Sequence, residues 1–90
     1  MQDEIEMNEP AEVIAAFRRG KKYNCWPVRF VFKNREVEVK EVGLAYPIRK
    51  NGALHHIFDI TDGQADYRLE LNTARLVWYV TREADHYEAT

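Results

Sequence analysis

Ninety residues, 46% hydrophobic and 31% charged, make one globular domain with room for a single small core. No apolar run approaches the roughly 20 residues that a membrane-spanning helix needs, and the acidic start MQDEIEMNE is unlike a secretory leader. One cysteine, Cys25, cannot form an internal disulfide, so the expected setting is cytoplasmic and reducing.

The net charge of −2 conceals a segregation. Residues 1–12 carry five acids and no base, and residues 83–90 carry Glu83, Asp85 and Glu88. Between them all 13 Lys and Arg stand against 7 acids, a body of +6. Charged termini aid solubility; the same pattern also suits an anion-binding body screened by its own ends. The expected organisation is an acidic tail over 1–8, one domain over 9–82, and a second acidic tail over 83–90.

In chain order, NEPAEVIAAFRRG reads first as a short helix over 9–20. Asn8 is a suitable cap, Pro10 fits the first turn, Arg18 and Arg19 suit the negative C-terminal end, and Gly20 closes it. The competing reading makes EVIAAF a strand, because Val, Ile and Phe favour sheets. KKYNCWP is a connector in which Pro27 holds Trp26 extended. VRFVFK and EVEVKEV alternate strictly and form a hairpin: a turn on Asn34-Arg35 sets Phe32 opposite Val37 and Phe30 opposite Val39.

VGLAYPIRKNGA is the longest loop, with a second small hairpin across Lys50-Asn51-Gly52 as an option. LHHIFDI, ADYRLEL and LVWYVT follow as alternating segments. A two-residue Asp62-Gly63 turn pairs Phe58 with Tyr67, and a four-residue turn over NTAR pairs Leu69 with Trp78. Leu54, His56, Phe58, Ile60, Tyr67, Leu69, Leu71, Leu76, Trp78 and Val80 then share one face. The fold expected is mainly β, an antiparallel meander of about five strands, flat or curled into a half-open barrel. It carries one N-terminal helix or, alternatively, an extra N-terminal strand.

Catalytic signatures are missing. His55 and His56 are neighbours on a strand and point to opposite faces, His55 and Asp59 lie about 13 Å apart along it, and His86 sits in the acidic tail. No metal site and no cofactor is expected. Cys25 lies in a connector that would not hold a nucleophile in place, and no phosphate-binding or nucleophile-elbow motif occurs. The chain reads as non-enzymatic.

Two binding surfaces remain. Arg18, Arg19, Lys21 and Lys22 put four positive charges in five positions, and Tyr23 and Trp26 could stack on bases, so this segment suits nucleic acid or another polyanion. On the sheet's second face, Ile57, Val77 and Tyr79 interrupt the charges beside Arg68, which suits a protein partner or a homodimer. The segments AEVIAAF, PVRFVFKNREVEVKEV and DYRLELNTARLVWYV, in that order, resemble a group of small bacterial domains of unknown function, over roughly Ala11 to Arg82. The resemblance implies a bacterial, cytosolic, β-rich module, adds weight to the strand reading of EVIAAF, and assigns no functional residue. The function expected is a small binding or protein-interaction module, with polyanion binding as the alternative.

Overall fold

The structure, a computed structural model, describes residues 4–19 and 23–85. Seven strands form one antiparallel sheet: β1 (Glu4–Phe17), β2 (Cys25–Phe32), β3 (Arg35–Glu38), β4 (Glu41–Lys50), β5 (Ala53–Thr61), β6 (Ala65–Asn72) and β7 (Val77–Asp85). Their order across the sheet is β3-β2-β1-β7-β6-β5-β4. The described residues contain no helix, which corrects the expected N-terminal helix and the count of five strands. Residues 4–8 and 83–85, expected in acidic tails, lie in β1 and β7.

The helix expectation fails because β1 is paired along both sides. Glu12 to Phe17 pair with β2, and Glu4 to Ala11 pair with β7. Ala11, Val13 and Ala15 pack against the core, whereas Glu12 and Ile14 face away, a period of two that no helix could satisfy. Pro10 is tolerated beside a bulge that leaves Met7 and Asn8 outside the ladder. Two flanking ladders outweigh a good cap and a well-placed proline, because propensity is the weaker influence. β4, expected as a loop, is an edge strand on which Pro47 costs no central ladder bond. Asn51 and Gly52, both at positive φ, turn it back into β5.

Three registers differ by two residues from those expected. Phe30 faces Val37, Phe58 faces Leu69, and Leu71 faces Trp78. The first hairpin turns on Lys33 and Asn34, both at positive φ, rather than on Asn34 and Arg35. After β5 the turn is longer than two residues: the Asp62 carboxylate accepts the N–H groups of Gln64 and Ala65. A slip of two preserves faces, so most of the expected core is buried as expected. Leu76 is the largest exception, 76% exposed in a turn at positive φ, and Leu54 is exposed as well.

The sheet curls on itself. In a flat sheet β2 and β6 would lie about 14 Å apart, yet the Tyr67 ring meets Phe30 and Phe32 edge-on at 5.3 and 5.6 Å. At one corner the chain steps from one edge of the sheet to the other. The Val39 N–H donates to Val28 in β2, and the next N–H, of Lys40, donates to Thr61 in β5. Tyr67 is fully buried at the centre of the curl, and its hydroxyl accepts from Arg35 Nη2 at 3.0 Å.

Burial raises the Tyr67 phenol above the ordinary tyrosine range, with Asp62 and Glu83 adding to the rise and Arg35 opposing it. The folded state therefore favours the neutral phenol, a stabilisation fully present below the unfolded tyrosine value and lost as pH rises beyond it. Urea unfolding followed against pH should show an alkaline loss of stability that is shallower in Tyr67→Phe. At neutral pH the same variant should lose about 1 kcal/mol with its hydrogen bond.

Candidate functional site: a groove on the outer face

Alternation and register place Tyr46, Ile48 and Lys50 of β4, His55 and Ile57 of β5, Arg68 and Glu70 of β6, and Tyr79 of β7 on the face opposite the core. Such a face is ordinarily solvated, yet Ile57, Glu70 and His55 are only 3, 6 and 7% exposed. They lie at the floor of a groove with two abutting compartments. One, about 410 Å³, is lined by residues that include Asn51, His55, Asn72, Arg75 and Tyr79. The other, about 350 Å³, includes Met7, Tyr46, Ile48, Ile57 and Arg68. Asn8, Lys50 and Glu70 line both, so the compartments adjoin at these residues. The β1 bulge at Met7-Asn8 forms one wall, and the end of β4 forms the other.

At the junction the Glu70 carboxylate binds two cations or donors through one oxygen. His55 Nδ1 lies 2.6 Å from Oε2 and Lys50 Nζ lies 3.1 Å from it. Glu70 is buried and acceptor-only when ionised, so His55 donates through Nδ1 and turns Nε2 away from the carboxylate. Further along the face Arg68 holds Asp59 in a two-pronged bond at 2.7 and 3.0 Å, and Arg82 approaches the same carboxylate at 3.7 Å. Neither cluster gathers three metal-ligating side chains, and no such group occurs among the described residues.

The four residues expected on an interaction face thus have different placements. Ile57 and Arg68 line one compartment, Tyr79 lines the other, and Val77 stands half-buried beside Asn72. Arg68 lies opposite Arg82 in the ladder, and its side chain binds Asp59. Sequence reasoning weighed His55 only as a metal ligand and Glu70 only as part of a polar rim, and did not join them to each other or to Lys50. The signal was cross-strand proximity on one face: the expected register sets His55 directly opposite Glu70, and in the structure, where His55 faces Asn72 and Ile57 faces Glu70, the two still meet on the diagonal.

The basic segment is only partly described. Arg18 and Arg19 are exposed at the end of β1, Lys21 and Lys22 lie outside the described residues, and so does His86. The Arg18 guanidinium sits 5.6 Å from the Trp26 ring centre, and Trp26 packs against the core cluster. Tyr23 lines a separate cavity of about 330 Å³ at the sheet's open side, with Cys25, Tyr46, Pro47, His56 and Phe58. Burial pushes the Cys25 thiol up, away from the thiolate that nucleophilic chemistry needs. On the first hairpin the cations are paired: Arg29 with Glu36 at 3.1 Å, Lys33 with Glu83 at 3.2 Å, and Lys40 with Glu38 at 3.5 Å.

Compared with known protein families, with curated proteins and with solved structures, the chain matches none. The groove stands on its own geometry. Glu70→Leu removes the acceptor shared by His55 and Lys50 and should cost about 1–3 kcal/mol, the desolvation of a buried ring left unpaired. Glu70→Gln, which keeps an acceptor, should cost less. Chemical denaturation of the two variants checks the order.

Proposed function

We propose that this chain is a small non-enzymatic binding module that holds an extended segment of a protein partner in the outer-face groove. One observation carries the reading: two adjoining compartments that share Asn8, Lys50 and Glu70 lie across the face of β4–β7. Ile48, Ile57, Tyr46 and Tyr79 supply apolar and aromatic walls, and Lys50, Arg68 and Arg75 supply polar contacts, the mixture expected of a recognition surface. The sheet edges are poorer docking sites. Pro27 interrupts β2 beyond the reach of β3, Pro47 and a bulge interrupt β4, and β3 is four residues long. A single cysteine suits work in a reducing cytoplasm.

Selection from a displayed random-peptide library tests the reading. Peptides enriched on the wild-type chain should bind Tyr79→Ala and Ile48→Asp at least about tenfold more weakly, a loss of about 1.4 kcal/mol. Failure to enrich any peptide, or enriched peptides indifferent to both substitutions, contradicts it.

The Arg18–Trp26 stack favours a second reading, binding of nucleic acid or another polyanion at Arg18, Arg19, Lys21, Lys22, Tyr23 and Trp26. Titration of labelled protein with a short single-stranded oligonucleotide should then shift the amides of 18–26, and the shifts should collapse as salt rises. Shifts elsewhere, or none, remove this reading.

A further inference from the structure

Resting on the groove reading, we infer that the Lys50 end of the groove is an oxyanion site, so that the partner segment is one that places a carboxylate or phosphate group there. The compartment has a surplus of donors over acceptors. Its one carboxylate, Glu70, already receives His55 and Lys50 on a single oxygen. Lys50 keeps further N–H donors, because an ammonium carries three and its side chain is half exposed. The Arg75 guanidinium is exposed and makes no side-chain contact among the described residues.

Asn72 adds a donor of fixed direction. Its Oδ1 accepts the N–H groups of Ala74 and Arg75 at 3.0 and 3.2 Å, which leaves the side-chain NH2 as its remaining group. Lys50, Arg75, Asn72 and Tyr79 therefore offer ammonium, guanidinium, amide and phenol donors to one compartment of about 410 Å³. A ligand group that satisfies them must be rich in acceptors, and two cations against one carboxylate favour a negative charge on it. Buried Glu70 keeps the Lys50 ammonium directed at the site without filling it.

Amide NMR titrations with sodium acetate and with sodium phosphate, each matched for ionic strength with sodium chloride, test this. At least one anion should give saturable shifts confined to the surroundings of Lys50, His55, Asn72, Arg75 and Tyr79. The tighter of the two identifies the source, carboxylate or phosphate ester. Arg75→Ala, an exposed position whose removal leaves the fold intact, should weaken that binding at least about tenfold. Lys50→Met should do the same.

Shifts that never saturate, that spread equally to Arg18 and Arg19, or that survive both substitutions overturn the inference. Its failure is distinguishable from failure of the groove reading. Library peptides that occupy the groove without an acidic or phosphorylated residue overturn the oxyanion site alone. Saturable anion binding with no enriched peptide overturns the peptide groove alone.

Discussion

Two-sided pairing of β1 is the constraint on which the structure depends. Among the described residues, β1 is the strand whose ladders join the β2–β3 hairpin to the meander from β4 to β7. Its two halves divide the work: the first half pairs with β7 and the second with β2. That ladder holds Phe30, Phe32 and Val37 over Tyr67 as one wall of the curl. A two-stranded hairpin is marginal alone, whereas a curled sheet buries a common core from strands distant in the order. The step at Val39-Lys40 then follows from geometry, because both edges are within one residue of each other there.

The same curl explains why only one side of the sheet is free for recognition. The inner face is filled by aromatic and aliphatic side chains around Tyr67. The outer face is walled by the β1 bulge at Met7-Asn8 and by Tyr46, Ile48 and Lys50 of β4, which stand on either side of β5, β6 and β7. Between them Glu70 is buried at a cost that only its partners offset: an unpaired carboxylate there would be strongly disfavoured. His55 and Lys50 hold it, and it holds them in turn. A polar cluster so arranged is weak as a source of stability but fixes side chains in direction, which recognition requires.

Much of the fold was legible in the sequence because a sheet has a period of two. The inward set from Phe30 to Val80 could be read from alternation alone, and slips of two residues in three hairpins left those faces unchanged. What alternation cannot supply is register: the expected turn sets His55 directly opposite Glu70, whereas in the structure Ile57 faces Glu70 and His55 reaches it on the diagonal. β1 was obscured for another reason. Asn8, Pro10 and two arginines form a plausible local helix, and only the ladders on both sides, invisible locally, decide against it. Leu76 shows the converse error, an apolar residue assigned to a strand that a left-handed turn places in solvent.

The most direct test of the account is the cross-strand NOE pattern of β1. Val13 should contact Phe30 on one side and Ala11 should contact Trp78 on the other, with slowly exchanging amides between them. Sequential helical contacts over residues 9–17, with neither cross-strand set, would contradict it, since the sheet, its curl and the groove wall at Met7-Asn8 would all lose their common strand.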